Sequence, residues 1–384
     1  MVPVFVFAHF SHHIVGALLQ PLQTFIRDDF LLTKTQLGFL QGTAYNLPYG
    51  LSQLPAGWLS DRVSPRVLIT VGITGVAAAG LLVGVSPSYA VMVAAIVMLG
   101  LLGGGYHPAA APLVTASVGK KNPGIALGLH QIGGTASFFL TPLIAAGLAS
   151  MIGWRGTFLA VSVPALVFGI ALFVILGRRR AKIAQPSEEI VDAEALSRAG
   201  EMRRLVPLLI LGVTVQVLIF SSVSFVPVFA NEALGVSKAA AGGLLALAHL
   251  AGLFAGPIGG YLSDRVGRVR VMLAASLVAG PAIYLLSQAA PGWSLSLVLL
   301  LMGTCQYLAM PTSEAYIISH APERRRSTIL GVYYMASRGG PGIAMPVIGS
   351  LIDGYGYTTA FSAAAITMVA ITVVCGGLLL RNRD

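Results

Sequence analysis

Residues Gly57-Trp58-Leu59-Ser60-Asp61-Arg62-Val63 return 203 positions later as Gly260-Tyr261-Leu262-Ser263-Asp264-Arg265-Val266. Three further matches keep the same offset. They are Gly153-Trp154-Arg155-Gly156-Thr157-Phe158 with Gly356-Tyr357-Thr358-Thr359-Ala360-Phe361, Pro108 with Pro311, and Ala126-Leu127-Gly128 with Ile329-Leu330-Gly331. Four matches in one register indicate a duplicated chain. The halves are read as residues 1–177 and 205–384, with 178–204 as the joint. The joint is the one long polar stretch, read as a solvated tether with a short acidic, Ala-rich helix.

The solvent follows from composition. The 384 residues are 56% hydrophobic and 10% charged, with 45 Gly, 21 Pro and a mean hydropathy of +0.82. Soluble domains carry about 25% charged residues. So few charges cannot cover a water-exposed surface, which excludes a disordered chain, a disulfide scaffold and a cytosolic enzyme. A polytopic helical membrane protein remains. Charged and Pro/Gly-rich breaks divide the chain into twelve apolar stretches, numbered here as spans 1 to 12: 2–26, 35–59, 67–86, 89–117, 124–150, 155–177, 205–231, 239–263, 271–289, 294–320, 328–352 and 358–380. The first, lacking a basic leader region, is read as a span and not as a signal peptide.

With both termini cytoplasmic, the inner loops and ends hold 19 of the 24 Lys and Arg residues, from Arg62 and Arg66 through Arg381 and Arg383. The outer side holds Arg27, Lys34, Arg155 and Lys238, and Arg338 lies within a span. This is a strong positive-inside bias, so the net charge of +10 reads as orientation and not as nucleic-acid binding. Cys305 and Cys375 fall within spans without metal-ligand spacing and read as buried thiols.

Polar residues within spans are functional candidates because hydrocarbon penalises them. At about 100° per residue, His9, His12, His13, Gly16, Gln20 and Gln23 share one arc of span 1. The stripe admits three readings: helix–helix hydrogen bonding, a cavity lining, or metal binding by His9, His12 and His13. No Cys, Asp or Glu in that span supports a metal, and neither metal nor cofactor is assigned. Span 4 adds Tyr106 and His107, and span 5 adds His130 and Gln131. The second half offers one acid inside the membrane, Glu314, and one base, Arg338. These read either as a structural salt bridge or as an anion anchor beside a proton carrier. Tyr307, Tyr334, Gln216, Gln306 and Ser313 can add hydrogen bonds, while His249 and His320 are lesser candidates.

Two six-span halves with G-x-L-S-D-R after spans 2 and 8 resemble the major facilitator superfamily over essentially the whole chain. The resemblance implies an all-α membrane protein of twelve transmembrane helices in two pseudo-symmetric six-helix bundles, with spans 1, 4, 7 and 10 around a central cavity. It also implies a gating latch formed by Gly57, Asp61, Arg62, Gly260, Asp264, Arg265 and Arg268. The glycines would permit close helix approach, and the aspartates would accept from neighbouring helix N-termini. The first copy departs from the family form at Ser64 and Pro65. Span 4 lacks the Arg of many proton-coupled members, and span 5 matches the Gly-Pro signature of drug antiporters loosely. Residues Ala8-His9-Phe10-Ser11-His12 and Tyr106-His107-Pro108-Ala109-Ala110 resemble fosmidomycin-resistance-type exporters.

The resulting expectation is a secondary transporter working by alternating access in the cytoplasmic (inner) membrane, multi-pass and monomeric. No G-x-x-x-x-G-K-[ST] motif suggests ATP-driven pumping. The first reading is proton-coupled efflux of a small amphiphilic or drug-like compound, with Glu314, His13 and His107 as proton carriers. The second is proton-coupled uptake or exchange of a small organic anion at Arg338. A reading of another class is a membrane-embedded enzyme or sensor with a metal on His9, His12, His13 and His107.

Overall fold

A computed structural model describes residues 1–60, 62–117, 123–178, 199–320 and 323–381. Among the described residues all regular structure is helical. Eight helices are long and apolar enough to cross a membrane, and the bent pair Val2–Ile14 and Gly16–Phe30 counts as a ninth. Two of the eight, Gly128–Gly177 and Gly331–Arg381, run to 50 and 51 residues, too long for one crossing of about 20. Each is broken by one left-handed glycine, Gly153 (φ 71°) and Gly356 (φ 81°). These glycines occupy equivalent places in the sequence repeat, so the duplication is also one of backbone conformation. Only glycine adopts this geometry without penalty. With both helices divided, and residues 34–60 added as span 2, the twelve stretches of the sequence are all present.

Several spans are less regular than their hydropathy suggests. Span 1 bends by 42° across the 3₁₀ turn Gly16–Leu18, so its polar stripe is two shorter stripes at an angle. Span 2 begins with a capping box of Thr33 and Gln36 and continues as a π-helix over Phe39–Asn46, a form that often marks functional positions. Span 4 breaks between Gly103 and Tyr106.

Each half has its own interior. Leu211, Val215, Met302 and Phe361 belong to the core of the second half, and Leu18, Val76, Leu99 and Phe158 to that of the first. Val228 of span 7 is the exception, packing into the first half's core. Large apolar side chains also cover the outside, among them Trp293 (85% exposed), Met151, Ile343 and Phe254. A continuous apolar exterior is what lipid requires. Residues 179–198, most of the sequence-assigned joint, lie outside the described residues.

Candidate functional site

The halves meet along spans 2 and 11 and along spans 5 and 8. Backbones come close at several glycines: a Cβ on Gly349 would run into the Lys34 carbonyl oxygen, and one on Gly50 would lie 2.8 Å from Cα and N of Gly339. Nearby, Thr43 Oγ1 donates to the Gly342 carbonyl at 2.7 Å.

At one end the junction is sealed by charge. Arg27 and Lys34 of the first half pair with Glu232 of the second, and Lys238 pairs with Asp28. Asp353 accepts from the backbone N–H groups of Lys34 (3.0 Å) and Thr35 (2.8 Å) and from the Thr35 hydroxyl (2.7 Å). The carboxylate thus caps the exposed N–H groups that start span 2. Burial pushes the Asp353 carboxyl upward, but the Thr35 and Lys34 hydrogen bonds outweigh it and leave the group below its ordinary value. For Asp28, burial is likewise outweighed by Lys238 and Arg27. A depressed pKa stabilises this contact above the ordinary carboxylate range and releases it only as pH falls through the lowered value, so the seal holds at neutral pH.

This network yields a prediction. Replacing Glu232 by Gln removes the negative charge that pairs with Arg27 and Lys34, and weakens the bond from the Tyr357 hydroxyl (2.7 Å). Partly exposed pairs contribute about 0.2–1 kcal/mol each, so losing the two raises opening of this end by about twofold to thirtyfold. The check is the labelling rate of Ser224→Cys by a membrane-impermeant thiol reagent, compared with and without Glu232→Gln.

Toward the opposite end spans 2 and 11 stay together, a Cβ on Gly331 falling 3.6 Å from Leu54, while the edge of spans 5 and 8 parts. Phe138 and His249 face each other across the junction, ring centroids 5.4 Å apart. Seven residues further toward that end, and so on the same helix faces, Gln131 is exposed and a Cβ on Gly256 would meet nothing within 4 Å. Gln131 therefore lines the opening and not the central cluster that the sequence reading assigned it to.

Between seal and opening lies the cavity, contracted to ≈ 30 Å³, room for about one water. His13, Gln20, Tyr45, Tyr49, Phe138 and Arg338 are among its lining residues. Gln20 donates to Ser224 Oγ at 2.6 Å, and Gln23 to the Ser224 carbonyl, so the second stripe of span 1 ties the halves together. Tyr45, Tyr49 and Gln41 escaped sequence reasoning. They carry no charge, and the π-helix that redirects them has no sequence period to betray it.

Behind His13 the structure gathers the expected imidazoles. His9 stacks on His130 at 4.3 Å between ring centroids and lies 5.2 Å from His107. His12 stacks on Tyr106 at 4.3 Å. Backbone carbonyls fix three tautomers. His9 Nδ1–H donates to His130 O (2.8 Å), His12 Nδ1–H to Gly72 O (3.0 Å) and His130 Nδ1–H to Phe5 O (3.0 Å). Carbonyls only accept, so in the neutral rings the Nε2 lone pairs are free to face the cluster. His13 Nε2 then donates to His9 Nε2 at 3.2 Å.

The second half corrects several expectations. Gln216 and Gln306 satisfy each other, Gln216 Nε2 donating to the Gln306 carbonyl at 2.8 Å and Gln306 Nε2 to Gln216 Oε1 at 3.3 Å. They brace spans 7 and 10 instead of offering free donors. The Tyr307 hydroxyl lies 2.9 Å from His249 Nδ1, so this tyrosine is held by span 8. Glu314 bonds with Tyr334, while its Oε1 is buried without a partner. Among the described residues no ion pair within 4.0 Å joins Glu314 to Arg338, which removes the structural salt bridge.

The gating motif is only partly visible. Asp61 and the surroundings of Gly57 lie outside the described residues, and Arg62 follows the end of span 2 with its N–H on the Leu59 carbonyl. In the second copy, a Cβ on Gly260 would meet nothing within 4 Å among the described residues. Asp264 pairs with Arg268 one turn on, at 3.6 Å, and its side chain is 70% exposed. Arg265 lies over the Tyr261 ring. Among the described residues Asp264 is bonded within its own segment and not to a neighbouring helix N-terminus.

Comparison with known proteins agrees with this architecture. The profile of the Major Facilitator Superfamily matches residues 5–256 and 208–384. A relative named multidrug resistance protein MdtG, from Enterobacter lignolyticus (strain SCF1), is 24% identical over 354 residues, covering 90% of this chain and 84% of its own. Its namesake from Citrobacter koseri is 24% identical over 356 residues, covering 91% and 87%. Among solved structures, a POT family transporter in complex with a thioalcohol-conjugated peptide superposes with a TM-score of 0.85 at 12% identity, over 100% of this chain and 96% of its own. A bacterial homolog of the human lysosomal transporter Spinster, inward-facing and occupied, gives 0.77 at 17% identity, over 99% and 96%. The chain is a multi-pass membrane transporter and belongs to the Major Facilitator Superfamily.

Proposed function

We propose that this transporter exports small amphiphilic or drug-like compounds across the cytoplasmic membrane in exchange for protons. It works as a monomer with both termini cytoplasmic. Residues 1–177 and 205–384 rock about the central cavity, with 178–204 as their tether. On that orientation the charged seal is external and the parted edge of spans 5 and 8 faces inward, the side from which an exporter loads. The observation that carries the reading is the cavity at the junction of the halves, mostly apolar and aromatic with a few polar anchors, beneath a charged seal. Such a lining suits a ligand recognised by shape and surface more than by a fixed hydrogen-bond pattern. The name of the relatives supports the same direction.

Glu314 is assigned the proton. It is the acid inside the spans, has one buried oxygen without a partner and bonds a tyrosine hydroxyl, with no ion pair within 4.0 Å of it among the described residues. In proteoliposomes under an imposed pH gradient, Glu314→Gln is expected to reduce uphill transport to the rate without a gradient while preserving downhill flux. An unchanged response to the gradient would remove Glu314 from coupling. A second reading, uptake or exchange of an organic anion, is favoured by one observation: Arg338 lines the cavity without a carboxylate partner.

A further inference from the structure

The i, i+3, i+4 spacing of span 1 offers His9, His12 and His13 as a chelating set, and the structure selects a different one. One ring nitrogen each from His9, His13 and His107 lie within 4.8 Å of one another, on two spans that meet at the cavity edge. His12 instead turns Nδ1 to the Gly72 carbonyl and Nε2 toward the Tyr49 hydroxyl (3.5 Å).

Three features fit a transition metal. The first is spacing. His9 Nε2 and His13 Nε2 are 3.2 Å apart, against roughly 3.3 Å for two nitrogens bound tetrahedrally at about 2.0–2.1 Å from one zinc ion. The second is support. Nδ1–H of His9 is already committed to the His130 carbonyl, the partner that ordinarily orients a metal-bound imidazole and leaves Nε2 as the donor. His130 is itself fixed by the Phe5 carbonyl, so the scaffold around His9 precedes any metal. The third is donor type. Three neutral imidazoles without a carboxylate suit Zn²⁺, Co²⁺, Ni²⁺ or Cu²⁺ and not Mg²⁺ or Ca²⁺.

We propose that His9, His13 and His107 form a three-histidine transition-metal site at the edge of the central cavity, with its fourth position open. This goes beyond export and does not depend on it. Closing the set on a metal draws the widest nitrogen pair together by roughly 1.5 Å, within reach of side-chain rotation. Arg338 lines the same cavity as His13 and acts on all three rings through its charge. It opposes a bare cation electrostatically and favours a metal whose fourth ligand is anionic. Neutralising Arg338 is therefore expected to tighten metal binding, the reverse of its expected effect on an anionic solute.

The test uses the full chain in detergent with a tag free of histidine. Co²⁺ is titrated by visible absorption and Zn²⁺ by calorimetry, with monodispersity checked for each variant. Wild type is expected to bind one Co²⁺ with tetrahedral ligand-field bands. His13→Gln and His107→Gln should each weaken binding by at least about tenfold, His12→Gln should retain it, and Arg338→Gln should strengthen it. Monodisperse wild type showing no tetrahedral Co²⁺ signal at millimolar metal would overturn the site. So would equal loss in His12→Gln, or no loss in the other two histidine variants.

Discussion

Arg338→Gln is expected to lower transport of anionic compounds about tenfold to a hundredfold, while neutral compounds of similar size change by less than about threefold. The asymmetry follows from the position of the guanidinium. It lines the cavity with His13 and Gln20, and no carboxylate among the described residues pairs with it. A half-buried charge without a paired carboxylate costs free energy in the empty protein, and an anionic solute offsets that cost on entry. A neutral solute does not, so removing the charge barely affects it. Initial rates for a matched pair of neutral and anionic dyes in the same vesicles measure the difference. Equal losses would mean that Arg338 holds the fold instead of selecting the solute.

Gly50→Val is the second large effect, and it acts on the halves' relative position instead of the solute. A Cβ at Gly50 would meet the Gly339 backbone at 2.8 Å, and backbone cannot move aside as a flexible side chain does. Overpacking of this kind costs about 1–3 kcal/mol. Because the contact joins different halves, the cost falls on the state described here and not on the fold of either half. An equilibrium between two conformations shifts about fivefold to 150-fold for such a difference. The expected result is normal insertion, faster labelling of Ser224→Cys from the sealed side and transport reduced at least about fivefold. Wild-type labelling and rate together would show that this contact does not change during the cycle.

The twelve spans and the duplication were legible because lipid imposes a single strong requirement on every crossing segment, and the repeat carried its own left-handed glycines, Gly153 and Gly356. The imidazole cluster was legible for a similar reason: polar atoms in hydrocarbon must converge. What stayed hidden was pairing across the chain. Nothing in the spacing of Gln216 and Gln306 says that each satisfies the other, or that Tyr307 is held by His249 of another span. Helical periodicity assumes a straight helix, so it could not foresee the bend at Gly16 or the π-turn that directs Tyr45 into the cavity. It placed His12 with His13, whose rings do lie 4.6 Å apart, but it could not foresee that His12 Nδ1 is committed to the Gly72 carbonyl. The charges of the sealed end looked like loop residues for want of any sign that Glu232 would reach Arg27 across the junction.

Rocking of the halves requires the charged seal to break once per cycle. Thr35 and Asp353 touch across it, hydroxyl to carboxylate at 2.7 Å, and the native Cys305 and Cys375 are buried. A Thr35→Cys/Asp353→Cys protein, oxidised to a disulfide in proteoliposomes, is therefore predicted to stop transporting and to recover on reduction. Undiminished flux through fully cross-linked protein would contradict alternating access at this junction.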